Sequence, residues 1–318
     1  RLSWLAKGPI LAALYPVTML LLQLAVALAL GAFLGQLGSG GVRFALQAIV
    51  GLVGGTIPPE STVLGSLEFV VFLGLLLGVA GLTLRWFRAH DDKTFAYYLM
   101  LDYAYTASLR GAYPPEIEGR LNTFRRQVEA ALDSDVDEVL IVGHSSGAQL
   151  AVSLVADILR ADRSPGPALS LLTLGHVVPM VSFLPDAGRL RGDLRLLSTA
   201  KEITWLDVSA PGDGCCFALS DPVAVSGVAP ECGQIWPIVI SAAFSNTLAP
   251  ATMAKLRRRY FRLHFQYLCA FDRPSDYDYF RITAGPLSLG SRFRGRASSK
   301  KLVDRVASRF TTFAPAPQ

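Results

Sequence analysis

From Gly8 to Val42 the chain carries no charged residue, and Ile10–Leu34 within that run is almost wholly apolar. A helix needs roughly 20 such residues to cross the hydrocarbon core of a bilayer, so this run predicts a membrane helix over residues 10–34. It is too long and uniform for a secretory signal, and no small-residue cleavage site follows it. Pro16 lies inside it, which membrane helices tolerate because neighbouring groups re-satisfy the freed carbonyl. A second apolar run, Val63–Leu84, contains one charge, Glu68, and ends on Arg85-Trp86-Phe87-Arg88, where aromatic rings and cations suit the membrane interface. Between the two, Phe44–Val53 is apolar but short for a crossing, and residues 42–57 read as an interfacial or re-entrant segment. Arg1 and Lys7 precede the first run, Arg85, Arg88 and Lys93 follow the second, and the connection holds only Arg43 and Glu60. The positive-inside rule then places both ends, and everything after residue 90, on the cytoplasmic side of a multi-pass protein, as in a bacterial inner membrane. The first residue is Arg1 rather than Met, which leaves room for sequence upstream.

Beyond this anchor of residues 1–90, apolar strand patterns alternate with helical ones. Phe95–Leu101 is aromatic and apolar, as a buried strand would be. Pro114-Pro115 opens a helix with Ile117, Leu121, Phe124, Val128 and Leu132 on one face. Val139–Val142 reads as a strand, Gly147–Arg160 as a helix, and Leu169–Leu174 and Ile203–Val208 as further strands. That order predicts an α/β domain over residues 91–285, with a mostly parallel sheet covered by helices on both faces. Residues 217–250 are apolar and rich in Pro, Gly and Ser, which suits either a lid beside the sheet or an insertion packed on it. Residues 286–318 form a basic tail.

The 30 Lys and Arg against 25 Asp and Glu give a net charge of +5, with much of the excess late in the chain. No basic-aromatic nucleic-acid module accompanies it, so lipid phosphates are the expected anionic surface and nucleic acid is not a partner. The four cysteines, Cys215, Cys216, Cys232 and Cys269, have neither zinc-ligand spacing nor the density of a disulfide framework, as in a reducing compartment. No metal-ligand cluster and no Gly-rich phosphate loop stands out, so no cofactor is expected.

The segment Gly143-His144-Ser145-Ser146-Gly147 follows an apolar strand and precedes an amphipathic helix, the context that makes G-x-S-x-G a nucleophile elbow. Side chains at Gly143 or Gly147 would collide with the strand or helix, and Ser145 would stand above the strand end. Ser146 is the alternative nucleophile and the better oxyanion donor through its backbone N–H. A nucleophilic serine needs a base and an orienting acid. Of four histidines, His90 lies beside the second apolar run and His144 inside the elbow, which leaves His264 with His176 as its rival. Asp213, between Gly212 and Gly214 past the strand 203–208, is the leading acid, and Asp207 and Asp221 are alternatives. Tyr103, in the loop expected after the first strand, is the candidate second oxyanion donor.

With these residues in place, the chain resembles the α/β-hydrolase superfamily, and within it lipase- and esterase-like members, over roughly Phe95 to Tyr279. Gly143-His144-Ser145-Ser146-Gly147 departs mildly from the G-H-S-L-G common among lipases, and the HGGG-type oxyanion segment is absent. The resemblance implies a Ser145–His264–Asp213 triad acting on a carboxylic ester. The anchor, the basic run Lys255-Leu256-Arg257-Arg258-Arg259 and the basic tail favour a membrane lipid or acyl ester as substrate. Acyl transfer or thioester cleavage on the same triad, and a silent membrane scaffold, are the competing readings.

Overall fold

The computed structural model describes residues 7–58, 61–161 and 166–313, with side chains in the first helix from Leu14 onward. The chain divides into two compact units, one of Ala13–Tyr103 and the other carrying Ala104–Gln318. In the first unit, α1 (Lys7–Leu52) and α2 (Thr62–Ala89) are both long and apolar enough to cross a membrane. The stretch expected to be a separate interfacial or re-entrant segment instead continues α1 as far as Leu52. Its 46 residues extend roughly 69 Å, about twice the hydrocarbon thickness. Ser61 caps α2, its hydroxyl accepting the Leu64 amide. Gly31, Gly35 and Gly38 let α1 approach α2 closely, because a Cβ on Gly31 would lie 2.5 Å from the Leu76 carbonyl oxygen and one on Gly35 2.8 Å from Phe72. The charges inside the apolar runs find each other: Arg43 grips Glu68 through Nε at 2.5 Å and a second nitrogen at 2.9 Å.

Phe95–Leu101 is not a strand. The Asp91 carboxylate accepts the amides of Tyr97 (3.0 Å) and Tyr98 (2.8 Å), satisfying two donors that a helix start leaves open, and Ala96–Ser108 forms α3. Local capping thus overrides the aromatic strand pattern.

The second unit holds one sheet of four strands in sequential order, all parallel: β1 (Glu138–His144), β2 (Ala168–Leu174), β3 (Ile203–Ser209) and β4 (Ile238–Ser241). Alternate residues serve opposite faces, as the period of two requires. Leu169, Leu171, Ile203 and Trp205 join one buried cluster with α4 (Pro115–Leu132), α5 (Gly147–Arg160) and α7 (Gly188–Thr199), after the short α6 (Val178–Ser182). Leu172, Leu174, Leu206 and Val208 join another with Phe244, Leu263, Tyr267 and Phe293 from the last third of the chain. The expected parallel sheet with helices on both faces is therefore present, starting at β1 rather than near residue 95. An ion network ties three helices together: Arg189 of α7 pairs with Glu118 of α4 and with Asp157 of α5 at 2.6 Å.

Much of residues 217–250 packs into the second unit, as an insertion on the sheet would. They supply α8 (Pro222–Val225), β4 and α9 (Phe244–Thr247), with Phe217, Val223, Val239 and Phe244 buried, so their apolar character is spent on the core. The basic tail is likewise packed down: its Val303 amide donates to Leu219 at 2.8 Å and its Ser299 amide to Val239 at 2.8 Å. Buried Arg191 of α7 gathers four carbonyls, from Ser182 (2.8 Å), Leu184 (2.7 Å), Pro185 (2.9 Å) and, in the tail, Thr312 (2.6 Å). Only the Ser182 carbonyl is in a fully buried contact, and an orphaned buried carbonyl costs about 1–3 kcal/mol, so Arg191→Met should lower the unfolding free energy by about 1–3 kcal/mol, read as a fall in melting temperature of the detergent-solubilised protein.

Candidate active site

Between β1 and α5 the chain turns within three residues. Ser145 sits at the turn with φ of 56°, a left-handed conformation that costs a non-glycine residue roughly 1–2 kcal/mol. Two main-chain bonds hold it there: its amide donates to Leu174 at the end of β2 (2.9 Å), and its carbonyl accepts the Ala148 amide (3.1 Å). Gly143 is required, because a Cβ there would meet Ala148 Cα, Ala151 Cβ and the Gly147 carbonyl, all at 2.8 Å. Gly147 is not: a Cβ there faces open space, which corrects the expectation that both glycines avoid a clash. Ser146 occupies the N-cap position of the 14-residue α5 without a side-chain capping bond, and this helix N-terminus, directly after Ser145, favours negative charge.

His264 ends α11 (Tyr260–His264), which follows α10 (Pro250–Leu256), and is buried. Its Nδ1 is 2.7 Å from Asp213 Oδ2, in the loop just past β3. Tyr267, on the 3-10 turn Phe265–Leu268, donates its hydroxyl to the same oxygen at 3.0 Å, and the Cys215 amide donates to Oδ1 at 2.9 Å. Burial alone would raise the Asp213 carboxyl. The bond and charge of His264, with the Cys215 amide, more than offset it and hold the group below the usual carboxylate range. Asp213 is therefore a charged, fully engaged acid. His264 Nε2 has no hydrogen-bond partner among the described residues.

Two further residues pack against His264: Gly175, which did not stand out in the sequence, and His144, which the sequence marked only as part of the elbow. Gly175, just past β2 with φ of 50°, lies under the ring: a Cβ there would come within 3.2 Å of His264 Cε1 and 2.6 Å of Tyr267 Cε2. Because Leu174, its neighbour, binds the Ser145 amide, the β2 end carries both the serine turn and the histidine ring. His144 stacks beside His264, ring centroids 4.6 Å apart, and its Nε2 donates to the His264 carbonyl at 2.9 Å. Burial, then the neighbouring His264, pushes His144 down to about 4, so it acts as a neutral strut. A glycine immediately after a buried strand, and a tyrosine three residues past a histidine, are the only sequence signals of this arrangement.

The rival residues assemble elsewhere. His176, fully buried, lies 3.2 Å from the Ser220 carbonyl and 3.7 Å from Asp207, whose other oxygen accepts Thr173 Oγ1 at 2.6 Å. Asp221 caps α8, accepting the Val223 and Ala224 amides. His90 caps α2 in the other unit, bonded to the Trp86 carbonyl. Tyr103 lies inside α3, in the other unit and not past a sheet strand, so the reason for naming it an oxyanion donor is removed. Asp213, Cys215 and His264 are the one group among the described residues with ligand atoms mutually within 4.8 Å. The Cys215 thiol is pushed up to about 12 by burial and by Asp213, and His264 Nδ1 is taken by Asp213, so this trio makes a poor metal cage.

Two outcomes are expected. Gly143→Ala should destabilise the protein by about 1–3 kcal/mol, whereas Gly147→Ala should be neutral or stabilising, by urea unfolding. Because folded His144 is neutral down to about 4, the unfolded chain binds the extra proton between pH 6.5 and 4. Stability from this group is complete above pH 6.5 and declines by roughly 3 kcal/mol as pH falls to 4, a slope that His144→Asn should flatten.

Comparison with protein-family models, with curated proteins and with solved structures finds no match, so the functional reading stands on this geometry.

Proposed function

We propose that this chain is a membrane-anchored serine hydrolase that cleaves a carboxylic ester, of a lipid or other acyl substrate, through Ser145, His264 and Asp213. The carrying observation is the buried Asp213–His264 bond set beside a left-handed serine turn, on adjoining ends of one parallel sheet. The order Ser after β1, Asp after β3 and His after β4 is the order α/β-hydrolases use, which supports the resemblance to that superfamily.

In this reading His264 Nε2 takes the Ser145 hydroxyl proton as Oγ attacks the ester carbonyl. Charged Asp213 holds the ring through Nδ1 and stabilises the imidazolium that forms. The Ser146 N–H and the α5 N-terminus receive the developing oxyanion. His264 then returns the proton to the leaving alcohol, and water, deprotonated by the same nitrogen, releases the acid and regenerates Ser145.

The lipid assignment rests on charge and exposure. Lys255, Arg257, Arg258, Arg259 and Arg262 are exposed beside exposed Tyr260 and Phe265, on the stretch that carries His264. No carboxylate lies between Ala251 and Phe271. Each cation near an anionic leaflet contributes about 1 kcal/mol, and aromatic rings suit the interface. The loop charges flanking α1 and α2 favour the cytoplasmic side for the catalytic unit.

A fluorophosphonate probe tests the chemistry. Labelling should disappear in Ser145→Ala, persist in Ser146→Ala, and turnover of a lipid ester should fall about 10⁴-fold or more in Ser145→Ala. Folded wild-type protein that takes no label sinks the proposal, and hydrolysis confined to short soluble esters sinks its lipid part.

A further inference from the structure

A separate cavity of about 320 Å³ opens at the carboxyl ends of β3 and β4, the end of a parallel sheet where ligands are bound. Neither Ser145 nor His264 lines it. Its apolar wall is Leu219, Phe244 and Met253, and its charged groups are Lys300 and Lys301; among the described residues no acidic side chain faces it. The volume sits at the small end of ligand pockets and suits a head with a few carbons.

Three features make this more than two surface lysines. The lysine pair is carried on a strap fixed at both ends, Ser299 by its amide to Val239 (2.8 Å) and Val303 by its amide to Leu219 (2.8 Å). Ser298 adds a hydroxyl that accepts the Val239 amide at 3.0 Å. Second, two of the chain's positive-φ non-glycine residues, Leu219 (53°) and Ala243 (47°), line the cavity, and strain of that kind collects where a ligand is clamped. Third, Ser241 accepts the Ala243 amide at 3.0 Å, which leaves its hydroxyl proton to donate into the cavity.

We infer that this cavity binds an amphiphilic anion, its short apolar part against Leu219, Phe244 and Met253 and its carboxylate or phosphate at Lys300 and Lys301. The inference goes beyond the Ser145 chemistry and does not rest on it. Gly212, on the cavity rim, precedes Asp213, and Met253 lies on α10, which leads to His264, so an occupant would touch both arms that hold the acid–histidine pair.

The full chain in phosphatidylcholine nanodiscs, titrated calorimetrically with butyl phosphate, butyrate, butanol and inorganic phosphate, tests this. At least one alkyl anion should bind tenfold or more tightly than both butanol and inorganic phosphate. That affinity should fall at least tenfold in Lys300→Gln/Lys301→Gln and in Met253→Trp, and stay unchanged in Ser145→Ala. Butyrate as the tighter ligand marks a carboxylate such as a released acid; butyl phosphate marks a phosphorylated head group. Equal binding of butanol, no binding of either anion, indifference to the lysine and methionine variants, or loss in Ser145→Ala overturns the inference. The last result would place the anion at the serine, and failure of fluorophosphonate labelling would leave this cavity untouched.

Discussion

A carboxylate in an apolar interior stays charged only if its lone pairs are filled, and the second unit is arranged around one engaged by three donors. Asp213 accepts from His264, Tyr267 and the Cys215 amide, three donors from two separate stretches of chain. Two of these donors are fixed in turn: Tyr267 is buried against Phe244, Tyr277 donates to the Tyr267 carbonyl at 2.7 Å, and His144 holds the His264 carbonyl. The last third of the chain covers one face of the sheet and, in the same act, delivers the histidine. Core packing and site assembly are one construction here, since Leu263 and Tyr267 belong to the core and His264 lies between them.

The serine turn and its flanking strand and helix were legible because each has a short-range cause, whereas Asp213 and His264 were reached by chain order and elimination. Val139–Val142 and Gly147–Arg160 carry strong periodicity, and the glycine at 143 answers a local backbone contact. What the sequence hid depends on long-range packing or on capping. The helix at Ala96–Ser108 is started by a carboxylate upstream, which outweighs the strand character of Phe95–Leu101. The strand Ile238–Ser241 is four residues long and lies in a stretch whose apolarity suits a lid as well as a core. The tail stands out in the sequence for its cations, yet Leu289 and Phe293 are buried and its backbone is tied to β4. His144 and Gly175 serve a residue far along the chain, and no local pattern reports that.

The same logic of paired charge runs through the apolar helices. Glu68 and Arg43 each look like interruptions when read alone, and together they form a bidentate pair between α1 and α2. The glycines at 31, 35 and 38 permit the close approach along the same seam. Close packing of backbones, rather than a hydrophobic drive, is what holds two helices together in lipid.

Among the described residues, two buried histidine–aspartate neighbours lie in or beside the sheet, and their electrostatics separate them. Both histidines keep one ring nitrogen without a hydrogen-bond partner among the described residues, Nε2 in His264 and Nδ1 in His176. Asp213, with three donors, is held below the ordinary carboxylate range despite burial. Asp207 is raised by burial, only partly relieved by His176 and Thr173, and its Oδ2 lacks a partner within hydrogen-bond reach. Burial penalises the charged form of Asp207, which makes it a weaker partner for an imidazolium than a carboxylate engaged by three donors. Position points the same way. Asp207 lies within β3, on the face packed by α5 and α7, while Asp213 lies in the loop beyond the strand end, on the rim of the sheet that carries Ser145. Of the two pairs, Asp213–His264 is the one at that rim, and its carboxyl is the one held below the ordinary range.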